Sequence, residues 1–344
     1  MKMDTRSVFR SVGVILFVAA VVVFVSAQAT QGARPGAAAQ QQQPGPMMPS
    51  APASTVYMTA DISPAGLAAV YKALGRTLPG KVAVKLSTGE PGGNYYLSPA
   101  LIKDLVHAVN GTIVECNTAY GGQRANTAMH KQVAKDHGFT AIAAVDIMDE
   151  DGSISLPFPK GSHVREDFVG SHFTNYDSFL VLSHFKGHAM GGFGGALKNI
   201  SIGIASSNGK INIHSAGAAK GGDFRLAFGT NQNAFLESMA EAAGAVMTKL
   251  GNNILYISVM NNLSVDCDCD SHPHAPELAD IGILGSTDPV ALDKACVDLV
   301  YAADKKQNAA LRERIESRNG TLILHHAEAL GLCSQKYTLV KVDG

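Results

Sequence analysis

The chain has no tryptophan, five cysteines, no excess of charge of either sign and no apolar run as long as a membrane span. Each shortage excludes a class of protein. A net charge of −1 provides no basic footprint, so no nucleic-acid partner is expected. Cys116, Cys267, Cys269, Cys296 and Cys333 are too few and too unevenly spaced for a disulfide framework. They also lack the run of a ferredoxin, so no iron–sulfur cluster of that type is expected. Neither a Walker A loop nor a G-x-G-x-x-G turn is present. Abundant glycine without tryptophan suits an α/β chain with many tight turns between strands and helices.

Lys2, Arg6 and Arg10 precede the apolar stretch Ser11–Val25, and Ala27-Gln28-Ala29 is a small-x-small cleavage site. Residues 1–29 thus read as a signal peptide, which makes the protein exported, periplasmic or extracellular. The alternative is membrane anchoring by an uncleaved signal, although a spanning helix needs ~20 apolar residues. Residues 30–53, rich in Gln, Ala, Pro and Gly, read as a disordered linker. Residues 54–344 suffice for one large or two modest domains, with a candidate lobe break near 215–233.

Strand patterns at 55–59, 81–86, 111–116 and 141–147 alternate with helix patterns at 65–74, 100–109 and 127–137. Ser63-Pro64, Ser98-Pro99 and Asp288-Pro289 are N-cap-plus-proline helix starts. Residues 150–175 read as an irregular polar excursion and 178–183 as a strand. An amphipathic helix is expected over 234–250, then a strand over 254–260. The fold class is therefore α/β, a parallel or mixed sheet with helices on both faces.

Chemistry concentrates in three places. His184, Lys186 and His188 alternate at the end of an apolar strand, before the turn Gly191–Gly195 and then Lys198 and His214. Backbone N–H groups at Gly192, Gly194 and Gly195 suit an anion at a helix start, or simply a tight turn. Lys198, inside an apolar helix pattern, either reaches solvent or is desolvated and nucleophilic. Asp266–His274 packs Cys267, Cys269, His272 and His274 into one loop, a set suited to a soft or borderline metal. Reduced thiols or a disulfide are the bland alternative. Thr88, Asn117, Gln123 and Arg124 lie in loops after successive strands, where substrates bind, and Arg124 suits a carboxylate.

The segments VAVKLSTGEPGG, VECNTAYGGQR, LSHFKGHAMGGFGGALKNISIGIASS, DCDC and DIGILGSTDPVALDKACVDLV resemble the domain of unknown function 362 family. A more distant resemblance is to the lactate racemase family. Its order of histidine, glycine-rich turn, lysine and histidine matches His188, Gly192-Phe193-Gly194-Gly195, Lys198 and His214. That resemblance implies Lys198 as the tether of a nickel-pincer cofactor, His214 as a metal ligand and His188 as an acid/base. It also implies a substrate role for Arg124 in GGQRANT. Two positions depart from it: Gln123 stands where a second acid/base histidine falls, and Gly194 where a serine falls. The expectation is a metal- or metal-cofactor-dependent enzyme of isomerase, epimerase or redox type acting on a small hydroxy- or oxo-acid. Nickel, zinc and iron are not distinguished. The alternative is a non-catalytic metal-binding protein or redox partner centred on Cys267, Cys269, His272 and His274.

Overall fold

The computed structural model describes residues 53–342. The expected signal peptide over 1–29 and all of the expected linker but residue 53 lie outside the described residues. The chain begins with β1 (Ser54–Thr59), α1 (Pro64–Ala73), β2 (Val82–Lys85), α2 (Pro99–Ala108), β3 (Gly111–Glu115), α3 (Thr127–Asp136) and β4 (Val145–Ile147). After β5 (Ser153–Pro157) and β6 (Glu166–Gly170) come β7 (Ser178–His184), β8 (Lys186–His188) and β9 (Gly192–Gly194). Three helices follow, α4 (Ala196–Ser201), α5 (Ser207–His214) and α6 (Gln232–Leu250), then β10 (Ile254–Met260) and β11 (Gly282–Ser286). The last elements are α7 (Pro289–Ala302), α8 (Ala309–Ser317), α9 (Leu322–Ala329) and β12 (Tyr337–Lys341).

Eight strands form one mixed sheet in the order β12-β1-β11-β10-β7-β2-β3-β4. All neighbours are parallel except for β11, which runs antiparallel to both β1 and β10. The central strands are buried on both faces, as parallel sheets require. Phe179 and Val181 of β7 enter one core with Ile254 and Tyr256 of β10, under α4, α6, α7 and α9. Leu180 and Leu182 enter the opposite core with Leu255 and Ile257, under α1 and α2. This alternation with period two makes β7 and β10 apolar throughout their central residues. The described residues hold together within one compact unit, the stretch 215–233 included.

Three details depart from the sequence reading. The excursion over 150–175 contains the hairpin β5–β6, paired antiparallel. The expected strand over 141–147 shortens to Val145–Ile147, because Gly138, at φ +85°, ends α3 and the buried Phe139 starts a 3-10 turn. The helical pattern after the glycine turn, read over 196–205, stops at Ser201 with α4, and α5 starts afresh at Ser207. At Gly203, between them, a Cβ would crowd the Asn199 carbonyl, and the Lys85 Cε would lie only 2.9 Å from it. Among the described residues no helix is long and apolar enough to cross a membrane.

The three proline helix starts form as read, with Ser63, Ser98 and Asp288 accepting from backbone N–H groups of the first turn. Asp288 is the most heavily used. Its Oδ1 accepts from Val290 and Ala291 at 2.9 Å each, and its Oδ2 from Ser54 Oγ at 2.8 Å. Asp288→Ala is expected to destabilise the fold by ~1–2 kcal/mol, the upper range for a lost N-cap, read as a lowered urea midpoint.

Candidate functional site

After β4 at the sheet edge the chain crosses back to place β7 on the other side of β2. Strand order reverses there, and such a reversal opens a crevice at the carboxyl ends of the strands. β2, β3 and β7 end at Lys85, Glu115 and His184, all three buried. Above them a pocket of about 840 Å³, counting its open mouth, is closed by β8, β9, α4, α5 and the Cys267–Cys269 loop. Its lining carries Lys85, Lys186, Lys198, Lys210 and Arg124 against the carboxylates of Glu115 and Asp268. Cations outnumber carboxylates, so the cavity attracts anions.

Most of these charges are already engaged. Glu115 accepts from Lys85 Nζ at 3.2 Å, the Thr88 backbone N–H at 2.7 Å and Arg124 at 3.3 Å. Burial pushes its pKa up, but Lys85, His130 and Arg124 outweigh that and hold it well below the usual carboxylate range. Arg124 also donates to Glu90 at 2.9 Å and to the Tyr120 hydroxyl at 3.2 Å. Asp268 is clamped by Lys186 Nζ and by His184 Nδ1, the latter at 2.9 Å, while His184 Nε2 donates to the Asn261 carbonyl at 2.6 Å. His184 is therefore a strut under the Cys-x-Cys loop with neither ring nitrogen free. Lys210 Nζ donates to the Ala205 carbonyl.

Three groups are not engaged in this way. Among the described residues, Lys198 Nζ makes no hydrogen bond or ion pair. The side chain keeps some open surface, but that surface faces the pocket. Enclosure by protein, and then the charge of Lys186, lower its pKa to about 7. His214 donates Nδ1–H to the Lys210 carbonyl at 2.6 Å, one helical turn back, which leaves the lone pair on Nε2. Its ring stacks on Phe235 with centroids 4.9 Å apart and meets the edge of Phe224, which fixes its plane. His188 has the opposite polarity. Its Nδ1 accepts from Gly191 N–H at 2.8 Å, so the neutral ring carries its proton on Nε2. Burial, and then the neighbouring Lys198, hold His188 well below the usual imidazole range, and burial lowers His214 to about 4. Both rings are neutral at pH 7: one presents N–H and the other a lone pair.

The sequence-derived residues divide accordingly. His188, Lys198, His214, Cys267 and Cys269 line this one pocket, as do Gly194, Gly195 and Arg124. The charge of Arg124 is already met by Glu90 and Glu115, so it frames the pocket as part of a network. Thr88, fully buried, holds Glu115 rather than facing the cavity. Asn117 does not line it either, and its side chain ties to Thr127 at 3.0 Å. Gln123 is exposed in a shallower outer pocket. Gly192, at φ +80°, packs beside Ile315 and Gly320, away from the cavity.

Two expectations are overturned. The helix start after the glycine turn is not open to a ligand anion, because Asp293 of α7 accepts from Ala196 N–H at 2.7 Å and Leu197 N–H at 2.9 Å. Gly195 is required there, since a Cβ would strike the Asp293 carboxylate. His272 and His274 do not join the two cysteines. His272 caps back onto Ser271, and the exposed His274 ring pairs with Asp266 at 2.5 Å. Cys267 and Cys269 are joined as a disulfide instead, and the imidazole beside them is that of His188. Sequence reading passed over Lys85, Glu115, Lys210 and Asp293. A charged residue closing an apolar strand marks the first two, and nothing local marks the others.

Among solved structures, the chain is similar to the lactate racemase apoprotein from Thermoanaerobacterium thermosaccharolyticum, at 15% identity over 72% of this chain and 57% of that one, with a TM-score of 0.41. It is also similar to a structural-genomics protein of Thermotoga maritima, at 11% identity over 74% and 58%, with a TM-score of 0.40. The chain thus spans less than two thirds of either neighbour's length. No curated protein matches it. The family model "Domain of unknown function (DUF362)" matches residues 82–298, more than half of the chain, and the protein belongs to that family.

Proposed function

We propose that the protein is an enzyme that moves a proton at a carbon of a small hydroxy- or oxo-acid, using Lys198, His188 and His214. One observation carries this reading: Lys198 Nζ, His188 Nε2 and His214 Nε2, none of them hydrogen-bonded among the described residues and complementary in donating and accepting character, belong to groups that line a single cation-rich pocket. The positive lining draws in the substrate carboxylate. With a pKa of about 7, Lys198 has a substantial neutral fraction near neutral pH, which suits a general base or an amine nucleophile. His188 donates from Nε2 to a substrate oxygen, and His214 Nε2 is available as a second acceptor or as a metal ligand.

The donor set also fits a metal cofactor. A neutral imidazole with a free, oriented Nε2 and a partnerless lysine in the same cavity suit a metal ion on His214 and a tethered group on Lys198. Such a metal supplies Lewis-acid polarisation of a substrate oxygen. Gln123 lies in the outer pocket and titrates no proton, so the acid–base work rests on the inner groups.

The test is carbon-bound deuterium incorporation into a panel of 2-hydroxy and 2-oxo acids, incubated in deuterium oxide with the protein and read by mass spectrometry. Exchange is expected to scale with protein and to rise as the pH is raised through about 7, where Lys198 sheds its proton. Failure of every acid to exchange or to bind saturably would sink the proposal.

A further inference from the structure

The loop bearing Cys267 and Cys269 has an architecture that proton transfer does not require. Asp268, between the two cysteines, turns toward the sheet and is held there by His184 and Lys186. Its carbonyl accepts from the Glu90 N–H at 2.8 Å. Cys267 and Cys269 flank the anchored Asp268 in a tight turn, closed by the Asp270 N–H on the Cys267 carbonyl at 2.9 Å. Both sulfur-bearing residues line the inner pocket, and both also line the outer pocket with Glu90, Tyr120 and Gln123. The pair forms the partition between the two cavities. It is reachable from the outer one through the half-buried Cys269.

An imidazole nitrogen of His188 and the two sulfurs lie within 4.8 Å of one another. A tetrahedral zinc site with Zn–S of about 2.3 Å and Zn–N of about 2.0 Å has ligand atoms roughly 3.5–4 Å apart, so once the S–S bond is broken the sulfurs spread apart while the imidazole nitrogen already lies near the required distance. In the oxidised protein the sulfurs are bonded to each other, and neither is a thiolate. We propose that Cys267, Cys269 and His188 form a reduction-gated site for a soft or borderline d¹⁰ cation such as zinc or cadmium, with its fourth position open to the inner pocket.

The gating step balances with a dithiol as reductant. One thiolate of the dithiol attacks Cys269 Sγ, the protein S–S bond breaks, and Cys267 leaves as a thiolate. The second thiol of the reductant then displaces Cys269 and closes its own disulfide, so two electrons pass to the protein. Metal binding takes both cysteines as thiolates and releases to solvent whatever thiol protons remain. Gly191 N–H occupies Nδ1 of His188, so the neutral ring gives up that bond to ligate, either through Nδ1 itself or through Nε2 with its proton moved to Nδ1. The thiolates are thus the indispensable pair and His188 the weaker third ligand. The site shares His188 with the proton-transfer reading but makes no use of Lys198, and its readout is metal uptake rather than exchange, so failure of one is distinguishable from failure of the other.

The experiment uses the purified protein, untreated or reduced with a dithiol and desalted without oxygen, and titrated with cadmium alone. The reduced protein is expected to take up one cadmium per chain with a thiolate-to-metal charge-transfer band, and the oxidised protein none. His188→Ala is expected to weaken uptake at least about tenfold. Cys267→Ser and Cys269→Ser should each abolish the band, and Lys198→Met should leave it in place. Because a cysteine substitution can disturb the loop, cadmium protection of the wild type from iodoacetamide is followed by peptide mass spectrometry. Protection is expected at Cys267 and Cys269. Uptake equal in the oxidised and reduced proteins would overturn the proposal. So would the absence of uptake on reduction, or alkylation of both cysteines undiminished by cadmium.

Discussion

Lys198→Met is expected to abolish solvent-deuterium exchange, a loss of ~10²–10⁴-fold, while leaving stability within ~1 kcal/mol of wild type or above it. Methionine fills a similar volume without an ammonium group to desolvate, and no hydrogen bond or ion pair of the lysine is lost. A packing lysine would behave in the opposite way, with activity retained and the fold weakened. The pH dependence supplies a second readout. The folded-state pKa of Lys198, about 7, lies below its unfolded value. Between those two values the unfolded chain binds the extra proton, so raising the pH favours the folded state through this group. Below pH 7 both states carry the proton and the contribution is flat. Urea unfolding of wild type and variant from pH 6 to 10 should therefore differ in slope, the variant lacking this rise. Equal slopes would mean that the lysine is not desolvated.

The second large effect is at Glu115, which carries little of the chemistry and much of the framework. Glu115→Gln removes the one carboxylate shared by Lys85 and Arg124 and leaves both cations buried beside a neutral amide. Breaking a buried pair from one side costs ~3–5 kcal/mol, so the urea midpoint should fall sharply. The sign of the pH effect follows from the depressed pKa of Glu115 in the fold. Its stabilisation is fully present above the unfolded carboxylate pKa and is lost as the pH falls toward the folded value. Wild type should lose stability in acid through this group, and the variant should lack that part of the acid dependence. A midpoint unchanged by the substitution would show that Lys85 and Arg124 find other partners.

Local sequence carried much of the fold. The apolar runs of β7 and β10, the serine- and aspartate-proline helix starts and the glycine at the end of α6 act through a few neighbouring residues. Their outcome depends little on the rest of the chain. Misreadings fell where tertiary contact overrides local pattern. The 3-10 turn begun by the buried Phe139 takes the start of the strand expected over 141–147, and the polar 150–175 segment pairs with itself across the β5–β6 hairpin.

The same division holds for the site. A strand, turn and helix in succession keep His188, Lys198 and His214 close, and it was the resemblance of that stretch to the lactate racemase family that implied roles for them. Which charges are free is a different matter, since engagement depends on partners distant in sequence. Lys85 meets Glu115 thirty residues on, Lys186 meets Asp268 eighty-two residues on, and Asp293 reaches back ninety-seven residues to cap α4. Sequence by itself determined the α/β class and the chemically able residues, because periodicity and side-chain type are local properties. Only the tertiary structure decided that Lys198 is uncommitted, that Arg124 is not, and that the two cysteines share a pocket with His188 rather than with His272 and His274. Hydrogen-bond partners and burial are set by the crossing from β4 to β7, and no local pattern encodes them.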